Sequence, residues 1–115
     1  MDTSQWLAQL RKGVVELLVL RLVALRGELH GYAIVKELRA LGDLIAGEST
    51  VYPVLRRLES DGLLNSRWVE SETGPPRKYY ILSLTGSIFL AEAQREWDAV
   101  VDTISLLKGE DRCER

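Results

Sequence analysis

Apolar residues recur at helical spacing from about Ser4 to Arg26, where Trp6, Leu10, Val14, Leu17, Leu18, Leu22 and Leu25 form a stripe that stops at Gly27. Between Val14 and Leu25 the segment is apolar almost all round, which predicts a first helix covered on more than one face. A second helix is expected over about Gly31 to Leu41, carrying Tyr32, Ile34, Val35 and Leu38 and ending at Gly42; the intervening ELHG makes a tight corner. GDLIAGE reads as a turn through Gly42 and Gly47. Ser49 or Thr50 then caps a third helix, with Pro53 in its first turn, where a missing N–H costs little, and Gly62 closing it after Asp61.

In that third helix Val51, Val54, Leu55 and Leu58 make one buried stripe, which leaves Ser49, Tyr52, Pro53, Arg56 and Ser60 pointing outward and Arg57 on the flank. After Gly62 the period changes from helical to two. One strand is expected over Asn65 to Glu72 and a second over Arg77 to Leu82, joined by a turn at Gly74, Pro75 and Pro76. Two strands on a basic-tipped turn, directly after a helix-turn-helix, make a wing. Ser83 is the expected N-cap of a last helix reaching about Leu107. In it Leu90, Ala93, Trp97, Val100, Ile104 and Leu107 fall at the a/d spacing of a helix-helix seam. A domain this small cannot cover the whole stripe, and pairing with a second copy in a closed two-fold dimer is the economical solution. The predicted fold is therefore mainly α with a two-stranded β wing. A winged helix-turn-helix occupies 1–83, a C-terminal dimerisation helix 84–108 and a flexible tail 109–115.

Composition narrows the class further. With 115 residues, 46% hydrophobic and 28% charged, the chain is expected to fold as one ordinary domain with a modest core. The Val14–Leu25 run is broken by Glu16 and Arg21 and falls well short of the ~20 residues that span a bilayer, and no cleavage site follows it, so a cytoplasmic location is expected. The one cysteine, Cys113, allows neither an internal disulfide nor a cysteine-based metal site. His30, the one histidine, has no partner at ligand spacing and is given a structural role in its turn; no metal and no cofactor are expected. A net charge of −2 argues by itself against a nucleic-acid partner. Between Val51 and Tyr80, however, Arg56, Arg57, Arg67, Arg77 and Lys78 stand against Glu59, Asp61, Glu70 and Glu72, a nearly balanced segment.

The stretches HGYAIVKEL, AGESTVYPVLRRLESDGLL and GPPRKYYILSLTG resemble, in order and with matching gaps, the corresponding stretches of the PadR family of bacterial regulators, in its short-tailed branch. The resemblance spans nearly the whole chain, departing at Val51, where leucine is usual, and at Ile81, where a polar residue is common. It implies a homodimeric winged helix-turn-helix repressor binding a near-palindromic operator in double-stranded DNA through Ser49, Thr50, Tyr52, Pro53, Arg56, Arg57, Arg77, Lys78 and Lys12. In this reading Tyr52 meets a phosphate, Arg77 and Lys78 meet a phosphate or the minor groove, and Arg56 reads a base edge or a phosphate. It also implies release by a small aromatic effector, for which Trp97 is the candidate ligand-binding residue, its bland alternative being seam packing.

Two other classes stand against this reading. A winged helix used only for protein association is the runner-up, favoured by the acidic balance. An enzyme would need a nucleophile with a base, a phosphate-cradling glycine loop or paired carboxylates in an apolar setting, and the sequence offers no such catalytic set.

Overall fold

The computed structural model describes residues 1–42 and 48–113, with side chains as far as Lys108. In chain order it comprises α1 (Thr3–Arg26), β1 (Leu29–His30), α2 (Gly31–Ala40), α3 (Glu48–Ser60), β2 (Leu64–Val69), β3 (Arg77–Leu82) and α4 (Leu84–Cys113). A capping box opens α1: the Asp2 carboxylate accepts from the Gln5 N–H and the Gln5 side chain accepts from the Asp2 N–H. Gly27 ends it at φ +83, a conformation that side chains with a Cβ resist.

The core gathers Val15, Val19, Leu20 and Val23 from α1, Ile34, Val35 and Leu38 from α2, Val51, Leu55 and Leu58 from α3, and Leu64 and Tyr80 from the sheet. Helix α1 touches α2, α3, α4 and β3, which is why its middle is apolar almost all round. The sheet is antiparallel in the order β1-β3-β2, with Leu29 opposite Tyr80 on one side of β3 and Leu64 opposite Leu82 on the other. The wing strands thus acquire a third neighbour at the ELHG corner, where two residues are too few to show a period.

Three details differ from the sequence expectation. Helix α3 begins at Glu48, so Ser49 and Thr50 lie inside its first turn rather than capping it, and Pro53, its sixth residue, sits deeper than the first turn. The hydroxyls beside the turn offered a cap, but an acidic residue is equally at home in a first turn, where it meets the positive end of the helix dipole. The turn read at GDLIAGE lies, from residue 43 to 47, outside the described residues. Strand β2 stops at Val69, short of Glu72. Helix α4 continues to Cys113, so the segment read as a tail is helical over 109–113; residues 114–115 lie outside the described part.

The end of β3 and the start of α4 are welded to the end of α3. The Ser83 hydroxyl donates to the Gly62 carbonyl at 2.6 Å and accepts from the Gly86 N–H at 2.9 Å, which makes Ser83 the expected N-cap. The Ser83 N–H donates to the Leu63 carbonyl at 3.1 Å. Gly86 lies so close to that carbonyl that a Cβ would sit 2.0 Å from its oxygen. Beyond this junction α4 packs on α1, where the Arg21 guanidinium donates to the Gln94 amide oxygen at 2.9 Å, and then projects. The radius of gyration is 16.8 Å, against about 13–14 Å for a compact chain of this length. No helix among the described residues is long and apolar enough to cross a membrane.

Gly86→Ala is expected to destabilise the fold by about 2–3 kcal/mol, since the obstructing atom is backbone and α4 must shift to admit a methyl. Urea unfolding of the two proteins measures it; equal midpoints contradict the close approach.

Candidate nucleic-acid interface

Helix α3 buries Val51, Val54, Leu55 and Leu58 and leaves Ser49, Pro53, Arg56, Arg57 and Ser60 exposed, the outward face expected from the 3.6-residue period. Two basic clusters flank this face. On one side Arg11 and Lys12 of α1 meet Ser49, Thr50 and Arg57 around a shallow depression of about 290 Å³. On the other, Tyr52 and Arg56 meet Trp68, Arg77 and Lys78 of the wing around a cleft of about 480 Å³. Lys12, Ser49, Thr50, Tyr52, Arg56, Arg57, Arg77 and Lys78 therefore all come to the two sides of one helix, with Pro53 exposed on α3 itself.

The side chains differ in how far they are committed. The Arg57 guanidinium is held against α1 by Glu16, which accepts from Nε at 3.1 Å and from Nη2 at 2.7 Å. Lys78 donates to Glu59 Oε1 at 2.9 Å and lies 5.6 Å from the Tyr80 ring centre. Glu59 also accepts from the Ser66 hydroxyl. That hydroxyl and then the Lys78 ammonium hold the Glu59 carboxyl below its ordinary range, and the Glu59 bond in turn raises the Lys78 pKa. Lys78 is thus a strut between β3 and α3. Arg56 and Arg77 have no carboxylate partner among the described residues.

Tyr52 is placed by a glycine. A Cβ on Gly31 would meet Tyr52 Cε1 at 2.7 Å, so the ring lies directly on the start of α2. Desolvation first, and then Glu48 and Tyr32, raise the Tyr52 pKa, which keeps the phenol protonated and able to donate.

His30 performs the structural role assigned to it. Its Nδ1 accepts from the Ala33 N–H at 3.2 Å and so caps α2, and its ring stands edge-on to Tyr79 at 5.3 Å. With Nδ1 accepting, the neutral ring carries its proton on Nε2, which faces Arg77 Nη1 at 3.0 Å. Two donors meet there, so His30 offers Arg77 no acceptor. Burial first, and then Arg77, lower the His30 pKa.

Sequence reasoning missed Arg11, Tyr32 and Trp68, which line these two hollows. Arg11 adjoins Lys12 and was legible as part of a basic pair; Tyr32 and Trp68 gave no signal beyond their aromatic character. The expected dimer seam divides. Leu90, only 4% exposed, belongs to the core of the single chain, because α4 docks on α1 at that level. It leaves nothing for a second copy to cover. Ala93, Trp97 and Val100 line a largely apolar groove of about 500 Å³ against Leu10, Val14 and Leu17 of α1. Ile104 and Leu107 lie exposed beyond it.

The model of the transcriptional regulator PadR-like family matches residues 19–92, and the chain belongs to that family. It is similar to a PadR family transcriptional regulator from Eggerthella lenta, with 38% identity, a TM-score of 0.77, and 91% of this chain and 90% of that one covered. A PadR-like transcriptional regulator from Bacillus cereus matches at 31% identity and a TM-score of 0.75 over 86% of this chain and 95% of that one. An uncharacterized protein from Lysinibacillus sphaericus is 31% identical over 97 residues, covering 83% of this chain and 88% of its own length. Members of the family are transcriptional regulators and not enzymes, and the fold is the winged helix expected, with its C-terminal helix.

The His30 cap carries a pH dependence of known sign. Its folded pKa lies below the unfolded value of about 6.5. Its stability contribution is therefore complete above that value and is lost as the pH falls from there through the folded pKa. Between pH 7 and pH 5 the melting temperature of the parent should fall more than that of His30→Asn, which caps without titrating. Parallel melting curves for the two proteins contradict the cap.

Proposed function

We propose that this chain is a repressor that works in the cytoplasm as a homodimer. Each copy lays α3 in the major groove of one half of a near-palindromic operator. The observation that carries the reading is the exposed face of α3 standing between two basic clusters, one from α1 and one from the wing. A net charge of −2 does not oppose it, because Arg11, Lys12, Arg56, Arg57, Arg77 and Lys78 outnumber Glu16, Glu48 and Glu59 at this face, while Glu92, Glu96, Asp98 and Asp102 lie on α4. Arg56 would read a base edge, and Lys12 and Arg77 would meet phosphates with Tyr52, joined by Arg57 once it exchanges Glu16 for a phosphate. Lys78 would serve by holding the wing.

The second copy would cover the apolar surface of α4, where Trp97 is 37%, Val100 51% and Ile104 53% exposed in the single chain. A flat aromatic effector would enter the groove between α1 and α4 beside Trp97, and by favouring a differently spaced dimer would lower affinity for the operator.

Mobility-shift titrations over a range of salt, with the chain's own upstream DNA and with random duplex, test the DNA reading against the protein-association alternative. Arg77→Ala and Lys12→Ala should weaken binding to both duplexes alike and flatten the salt slope by about one unit each. Arg56→Ala should cost about 1–3 kcal/mol on the operator and much less on random DNA. Absence of binding by the parent to either duplex favours the alternative.

For the dimer, sedimentation should give two chains for the parent and one for the double variant Val100→Asp and Ile104→Asp. Both positions are solvent-exposed in one chain, so the monomer should keep its helical circular dichroism. A double variant that stays dimeric overturns the assignment of α4.

A further inference from the structure

The cleft between α3 and the wing contains an aromatic side chain that the proposed contacts do not use. Alternation along β2 puts Leu64, Ser66 and Trp68 on one face. Leu64 is in the core and Ser66 donates to Glu59 of α3, so this is the face turned towards α3. Trp68 lies two residues nearer the wing tip, opposite Lys78 in the ladder, beyond the level at which the core can cover it. The residue is 68% exposed. With Tyr32, exposed in the same cleft, it forms an aromatic surface that its own domain leaves open to a partner.

The surroundings identify the chemistry of that partner. Arg56 on α3 and Arg77 on β3 line the same cleft as Trp68, and no carboxylate lines it among the described residues. Strand β1 ends at His30, so β3 has no strand partner on that side beyond Tyr79, and the His30 ring, which faces Arg77, borders the cleft there. The Arg77 guanidinium with a flat apolar ring beside it fits a chain of alternating anions and apolar sugar faces, while Arg56 borders the cleft from the side of the bases. With α3 in the major groove, the strand of sugar and phosphate that bounds this groove runs between α3 and the wing.

Resting on the repressor reading above, we infer that Trp68 packs its indole on a deoxyribose of the DNA backbone, beside the phosphate met by Arg77. The contact is apolar and sequence-independent. It adds affinity that salt does not screen, which offsets the modest number of free cations on an acidic chain.

The test uses the full chain and a random duplex about three helical turns long, with salt titrations of the parent, Trp68→Ala and Trp68→Phe. Trp68→Ala should weaken binding by roughly tenfold with the salt slope unchanged, since no phosphate contact is lost. Trp68→Phe should recover most of the loss, and the melting temperatures should agree because the ring is exposed. In the parent labelled with fluorotryptophan, the fluorine resonance that disappears in Trp68→Phe should shift on adding the duplex and lose its response to D2O. Affinity within twofold of the parent in Trp68→Ala, or a flattened slope, or an unmoved Trp68 resonance in the presence of bound DNA, overturns the inference. Failure of the parent itself to bind any duplex overturns instead the repressor reading on which it rests.

Discussion

The arrangement depends on one tight junction, where Gly62 and Leu63, just past the end of α3, meet Ser83 and the first turn of α4. Gly62 and Leu63 supply carbonyls to Ser83, and Gly86 leaves no Cβ to hold the two segments apart. Backbone on backbone is stiffer than any side-chain contact at this site, because neither partner has a rotamer to yield. The direction in which α4 leaves the domain is therefore fixed relative to α3. In the proposed dimer built on α4, that direction would set the distance between the two copies of α3, so the junction would turn a local close approach into a long-range spacing.

The wing is tied to α3 and to the link between α1 and β1 more softly, through polar groups at the edge of the core. Glu59 accepts from Ser66 and from Lys78, and Arg67 donates to both carboxylate oxygens of Glu28 at 2.8 Å. Such partly exposed pairs contribute little to stability but fix a geometry. Their consequence is a division of labour among cations. Lys78 and Arg67 are spent on holding the sheet, whereas Arg56 and Arg77 remain free of carboxylates beside the cleft.

Much of the fold was legible where glycines, caps and a sustained period coincide. Gly27 and Gly62 mark the ends of α1 and α3, Ser83 caps α4, and the alternation from Arg77 to Leu82 matches β3 residue for residue. Strand β1 was not legible, because pairing of Leu29 and His30 with β3 is a tertiary event without a local signal. The start of α3 was misplaced because hydroxyl and acidic residues compete for the same first-turn positions. At the site, period alone put the outward residues of α3 on one face. It could not show that Glu59, nineteen positions from Lys78, engages that ammonium. Nor could an a/d stripe reveal what covers it: Leu90 meets its own domain, while Ile104 meets water in the single chain.

The central claim is geometric: two copies of α3, held at a fixed distance by α4, meet DNA on one face of the double helix. Measuring affinity for operators recovered from genomic fragments, after inserting base pairs between the half-sites, tests it directly. The account predicts half-sites about one helical turn apart. A half-turn insertion should then reduce binding to the level of random duplex, and a full-turn insertion should leave affinity well below that of the parent site, since α4 cannot stretch. Affinity indifferent to the insertion, or a single α3 half-site bound by one chain with full strength, would contradict it.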